Sequence, residues 1–144
     1  MKQIDTEIEI AAPAGRVWAI LTDFARFPQW NPFITRIEGE ATVDARLKAT
    51  IQPPGRKAMT FRPIVVKAEP PRELRWLGRL LLPGIFDGEH AFVIEPLGES
   101  RVRFRQLEQF RGILVPLIWG NIGDATRRGF ELMNAAIKRV AETP

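Results

Sequence analysis

The chain has 144 residues, near the commonest size for one folded unit, and no cysteine, which excludes a disulfide framework, a thiolate nucleophile and a cysteine-held metal. Its 21 lysines and arginines against 17 acidic residues leave a formal charge of +4. The two signs interleave along the chain with no dense basic stripe, so nucleic acid is not the expected partner. One domain over residues 1–144 is predicted, with a core sufficient without staples. The opening MKQIDTEIEIAAP lacks the apolar centre of a secretory leader. The apolar runs, Leu80–Leu82 backed by Pro83–Phe86 among them, are too short to cross a bilayer, so a cytoplasmic protein with no integral membrane segment is the expectation.

From Gln3 to Ala11 the residues alternate, Ile4, Thr6, Ile8 and Ile10 against Asp5, Glu7 and Glu9, as in a half-buried strand. Pro13 suits the first turn of a helix whose apolar side is Val17, Trp18, Ile20 and Leu21. A second short helical turn near Asp23 is limited by Pro28 and Pro32. From Phe33 to Phe110 the period is two. Leu47, Ala49 and Ile51 mark one strand, and Met59–Glu69 reads as one longer strand with Phe61 and Val65 on a face. Leu74 and Trp76 lie on the strand Glu73–Gly78. Phe86, Gly88, His90, Phe92 and Ile94 share a face of the next, and a turn at Leu97–Ser100 leads into Val102, Phe104, Gln106, Glu108 and Phe110. These are consecutive antiparallel hairpins. Beyond Gly112, Thr126, Phe130, Met133, Ile137 and Val140 recur at helical spacing; Asp124 either caps that helix or lies inside a longer one starting near Ile113.

This order resembles the SRPBCC superfamily, the helix-grip fold of START lipid-transfer domains, birch-pollen-type allergens and bacterial polyketide cyclase/dehydrase-like proteins. The resemblance is carried by APAGRVWAILTDFARFPQWNPFI, PPRELRWLG, GIFDGEHAFVIEPLGESRVRFRQLEQFRGILVPL and GFELMNAAIK, which together span nearly the whole chain. It implies an α+β fold in which a curved antiparallel sheet wraps a long C-terminal helix, with two short helices after the first strand and an apolar cavity between sheet and helix. One amphipathic helix can cover the apolar face of one sheet, and concave apolar spaces of this kind are the usual small-molecule sites.

The catalytic inventory is thin. One histidine, His90, one serine, Ser100 in a predicted turn, and no tyrosine leave no Ser-His-acid triad, and with no cysteine no metal or other cofactor is expected. No glycine-rich phosphate loop is present. His90, Gln106 and Glu108 nevertheless share a face with phenylalanines, where unpaired polar groups cost about 1–3 kcal/mol each. Two readings follow. Either these groups satisfy one another inside the core, or they form the polar spot of the cavity, orient a ligand's carbonyl or hydroxyl, and in an enzyme let His90 and Glu108 act as acid and base. Phe61, Trp76, Phe86, Phe92, Phe104 and Phe130 are core or cavity wall; Trp30 covers the mouth or plugs the core, and Trp119 sits near the expected entrance. Leu80–Leu82 is expected to cover the cavity. Arg101, Arg103 and Arg105 share one strand face, a solvated surface or a contact for an anionic partner.

The expected function is binding or transport of a small hydrophobic or amphipathic molecule, lipid-, polyketide- or aromatic-like, by a monomer or homodimer. The alternatives are a cyclase or dehydratase using His90 and Glu108, and a protein-interaction module.

Overall fold

The computed structural model describes residues 2–80 and 82–144, without the side chains of Leu80 and Asn121. Strand β1 (Lys2–Ile10) buries Ile4, Thr6 and Ile10 on the face its alternation marks. Helix α1 (Ala14–Thr22) follows Pro13 and buries Val17 and Leu21, while Trp18 is half-buried. A 3-10 turn at Phe24–Arg26 leads into the single turn α2 (Phe27–Trp30). The Asn31 side chain then accepts the backbone N–H groups of Phe33 and Ile34, both at 2.9 Å, and launches the next strand.

Strands β2 (Ile34–Glu38), β3 (Lys48–Ile51) and β4 (Met59–Phe61) form a three-stranded ladder in that order. Strands β5 (Ile64–Glu69), β6 (Glu73–Leu80), β7 (Phe86–Gly98) and β8 (Arg101–Arg111) join β1 in a second ladder, ordered β1-β8-β7-β6-β5, all antiparallel. The long strand expected over Met59–Glu69 is therefore two strands in two ladders. The break falls at Pro63, which has no N–H to offer a strand partner. The ladders are laced there by Leu47 N–H to Pro63 O at 2.8 Å and Val65 N–H to Ala45 O at 2.9 Å.

Helix α3 (Val115–Glu142) is the longer of the two expected helices, with Asp124 in its interior rather than at its start. Gly123 does not break it; the Trp119 indole lies over its Cα. The helix lays Phe130, Met133, Ile137 and Ala141 on the sheet, all buried, each large side chain gaining about 1.5–3 kcal/mol by leaving water. Gly129 lets the helix pass directly over the Phe33 ring, a position where a Cβ would collide with that ring. At its C-terminal end α3 is clamped by α1: Arg16 donates to the carbonyls of Ala141 at 2.7 Å, Thr143 at 2.6 Å and Val140 at 3.3 Å. These are carbonyls that a helix end leaves without intrahelical donors. No helix is long and apolar enough to cross a membrane among the described residues.

The arginine face is answered within the sheet. Arg101 pairs with Glu9, Arg103 with Glu7 at 3.1 Å and Glu95 at 3.4 Å, and Arg105 with Asp5 at 3.0 Å and Glu95 at 3.3 Å. This is the solvated-surface arrangement, each exposed pair worth about 0–1 kcal/mol. The expected cover by Leu80–Leu82 falls on Leu81 and the Leu80 side chain, which lie outside the described residues; Leu82 is exposed.

Candidate functional site

The inward faces of β6, β7 and β8 divide along their length. Leu74, Phe92 and Gln106 are aligned across the three strands, as are Trp76, His90 and Glu108, and then Gly78, Gly88 and Phe110. The first row is buried beneath α3. The other two face a cavity of about 100 Å³, closed on the far side by Phe33, Ile51, Met59 and Phe61 and along α3 by Ile122 and Thr126. The space exists because two glycines, Gly78 and Gly88, stand opposite each other where the alternation calls for large side chains.

His90 lies at the boundary between packed core and cavity. Its ring stacks on Phe92 at 4.3 Å, lies 4.7 Å from the Phe130 ring and 5.4 Å from Trp76. Burial pushes its pKa down to about 4, against the hydrogen bond it donates to Gln106, which works in the opposite direction, so it is neutral at pH 7. Its tautomer is fixed by a chain of bonds reaching back to β1. Thr6 Oγ1 donates to the Gln106 carbonyl at 3.3 Å and accepts from Asn134 Nδ2 at 3.0 Å. Asn134 Oδ1 accepts from Gln106 Nε2 at 2.8 Å, which also donates to the Phe130 carbonyl at 3.3 Å. Gln106 Oε1 therefore faces His90 Nε2 at 3.0 Å as an acceptor, and the ring proton sits on Nε2. The other nitrogen, Nδ1, carries a lone pair directed at Glu108, whose Oε1 is 3.6 Å away.

Glu108 is the second polar group of the wall. Its carboxyl rests over the bare Cα of Gly88; a Cβ there would stand 2.5 Å from Oε2. Among the described residues it makes no hydrogen bond to another protein group and has no cation within 4.0 Å other than a His90 that is neutral. Burial raises its pKa to about 8, so the carboxyl holds a proton at neutrality. Arg79, which also borders the cavity, is 3.8 Å from Asp87. No group of three or more metal-ligating side chains occurs among the described residues.

Of the residues selected from sequence, Phe61, Trp76, Phe86, His90 and Glu108 border the cavity. Phe92, Phe104, Gln106 and Phe130 do not: they are fully buried in the core, Phe130 from the α3 side, and Gln106 acts on the cavity only through His90. Trp30 is neither a mouth cover nor a wall residue; it packs edge-on against Phe27 at 5.1 Å. Trp119 stands behind the wall, edge-on to Phe110 at 5.2 Å. Sequence reasoning left out Phe110, although it occupies the same inward-facing series as Glu108. It also missed Ile51 and Met59, which come from the other ladder, and Phe33, which immediately precedes β2. Glycine at two inward-facing positions of neighbouring strands was the available signal for the cavity itself.

A sheet gripping a long helix, with a partly open, largely apolar pocket between them and a small polar group in its wall, defines a helix-grip protein. The chain belongs to the family described as polyketide cyclase / dehydrase and lipid transport, whose model matches residues 1–142. No curated protein matches the sequence. Similar solved structures include the di-domain aromatase/cyclase BexL of the BE-7585A biosynthetic pathway, with a TM-score of 0.75 at 14% identity over 99% of this chain. The chain spans 48% of that protein, about half its length. The ZhuI aromatase/cyclase from Streptomyces sp. R1128 gives a TM-score of 0.74 at 15% identity, covering 98% of this chain and 93% of that one. A START superfamily protein from Mycobacterium smegmatis gives 0.71 at 19% identity, covering 96% and 98%. Likeness at these identities concerns the fold.

Proposed function

We propose that the chain binds a small hydrophobic or amphipathic molecule in the cavity, with Phe61, Trp76, Phe86 and Phe110 against its apolar part and the His90–Glu108 pair against one polar group. The observation that carries this reading is the placement of two polar side chains, Glu108 without a protein hydrogen bond, in an otherwise largely apolar wall. Family membership supports it, since the family description covers both lipid transport and cyclase chemistry. The cavity of about 100 Å³ is smaller than an engineered ~150 Å³ cavity that holds benzene in another protein, so a short chain fits within it and a single ring reaches into its open side. Trp76 borders the cavity and reports on it. Titration with single-ring compounds is expected to change tryptophan fluorescence saturably, and the response should weaken when Phe110 is replaced by Ala. If no such compound produces a saturable change and native mass spectrometry finds nothing retained, the reading fails.

A second reading is favoured by one further observation: near neutrality Glu108 holds a proton while His90 Nδ1 offers a lone pair. That is an acid and a base in one cavity, sufficient for a cyclisation, dehydration or isomerisation without a covalent intermediate. On this reading Glu108→Gln abolishes turnover of a substrate while leaving the fold intact, and unchanged turnover removes the mechanism.

A further inference from the structure

Two polar groups meet in the cavity wall, and among the described residues no protein hydrogen bond joins them. His90 Nδ1 is an acceptor because the Thr6–Asn134–Gln106 chain leaves the ring proton on Nε2. Glu108, when ionised, is an acceptor only. They are 3.6 Å apart, so the proton that Glu108 carries below about pH 8 makes no hydrogen bond to Nδ1, and once it is lost two acceptors face each other. Among the described residues, the groups that pack around them bring no cation to lie between them. Ile4 on β1 is the strand partner of Glu108, Ile122 and Thr126 come from α3, and Ile51, Met59 and Phe61 from the other ladder. The charged side chain on β6, Arg79, is near Asp87 and makes no ion pair with Glu108 within 4.0 Å. Trp76, Phe86 and Phe110 add aromatic rings, which attract cations through their negative faces.

We infer that this cavity is built for a protonated amine: a small aromatic or aliphatic ammonium whose N–H groups bridge Glu108 and His90 Nδ1 while its apolar body lies among the rings. The inference rests on the binding reading above and names the ligand class for the same site. A neutral carbonyl ligand would use Glu108 only as a donor and leave His90 Nδ1 unused; an ammonium carries enough N–H groups for both. Its binding has a definite proton balance. Below the Glu108 pKa of about 8 the empty site holds a proton on the carboxyl, and the ammonium displaces it to solvent, leaving a carboxylate–ammonium pair. Affinity for the amine therefore rises as the pH approaches 8 and falls once the amine loses its own proton.

Benzylamine, benzyl alcohol and toluene share nearly one shape and separate the possibilities. At pH 8 benzylamine is expected to bind roughly tenfold or more tightly than benzyl alcohol, the scale of one charge-assisted hydrogen bond. Calorimetry of the unmodified protein in two buffers of different ionisation enthalpy, at pH 6.5, should show release of about one proton on benzylamine binding and none with toluene. Glu108→Gln keeps the shape of the protonated carboxyl and should remove the benzylamine preference. If benzyl alcohol or toluene binds as well as benzylamine, if no proton is released, or if the preference survives in Glu108→Gln, the amine assignment is overturned and the cavity remains an apolar binding site. If none of the three binds, the binding reading falls with it.

Discussion

Gln106 Oε1 accepts the Nε2–H of His90 at 3.0 Å, and this bond determines which nitrogen of the only histidine faces the cavity. Gln106 is in turn held by Asn134 and the Phe130 carbonyl, so the acceptor character of the cavity wall is set beneath α3.

Replacing Gln106 by Leu leaves the His90 Nε2–H and Asn134 Oδ1 without their partner in a buried setting. The expected cost is about 2–4 kcal/mol, read from denaturant unfolding. In the parent protein the nitrogen shifts of the His90 ring should report the Nε2–H tautomer, and in Gln106→Leu a mixture. An unchanged ring spectrum would mean that the chain of bonds does not govern the tautomer.

Glu108 makes stability depend on pH. Its pKa is about 8 in the fold and near 4.5 in the unfolded chain, so the unfolded state releases its proton first. The stability tied to the protonated carboxyl is present in full below 4.5 and is lost as the pH rises through 8. Glu108→Gln should thus match the parent at pH 4 and exceed it at pH 9, by on the order of a few kcal/mol. His90 acts in the other direction: with its pKa lowered from 6.5 to about 4, stability is lost as the pH falls across that interval, in both proteins. Melting temperatures at pH 4, 6 and 9 check both signs.

Gly88→Ala places a methyl group where the Glu108 carboxyl rests. The carboxyl is the end of a flexible side chain beside open space, so the stability change is expected to stay within about 1 kcal/mol. The effect should appear in the site, as a displaced Glu108 titration followed by carboxyl NMR and as weaker uptake of single-ring ligands. Loss of the fold without a change at Glu108 would contradict this account.

Gly129→Ala is expected to go against helix propensity. Alanine gains about 1 kcal/mol over glycine inside a helix. The added Cβ, however, meets the Phe33 ring, itself packed edge-on to Phe130 at 5.5 Å. Overpacking of this kind costs about 1–3 kcal/mol, so net destabilisation is predicted from thermal unfolding. A more stable variant would mean that Phe33 moves aside freely.

Much of the fold was legible because period-two and helical spacing report which residues point inward. Ile4, Thr6 and Ile10 on β1, the His90–Glu108 strand pair, and Phe130, Met133 and Ile137 on α3 all follow from it. Period says nothing about how far along a strand the helix reaches. Phe92 and His90 are two residues apart on one face, yet the first is core and the second borders the cavity, because the space left by Gly78 and Gly88 adjoins one row and not the next. For the same reason Phe104 and Gln106 read like Glu108 and Phe110 but lie on the packed side. The division of Met59–Glu69 was hidden differently, since Pro63 interrupts a run whose alternation continues across it.

The Arg16 clamp has a mechanical consequence. The 28 residues of α3 extend ~42 Å, and the far end is tied down by Ile113 N–H to Gly84 O and Leu114 N–H to Ile85 O, both at 3.1 Å. With the C-terminal end held by three carbonyls, a tilt of about 5° against those two bonds moves the Val115 end by roughly 4 Å while leaving every strand pairing intact. Ile122 and Thr126, the cavity residues of α3, sit on the half of the rod nearer that moving end. A pivot of this kind, hinged beside α1, would alter the cavity wall first at Ile122 and Thr126.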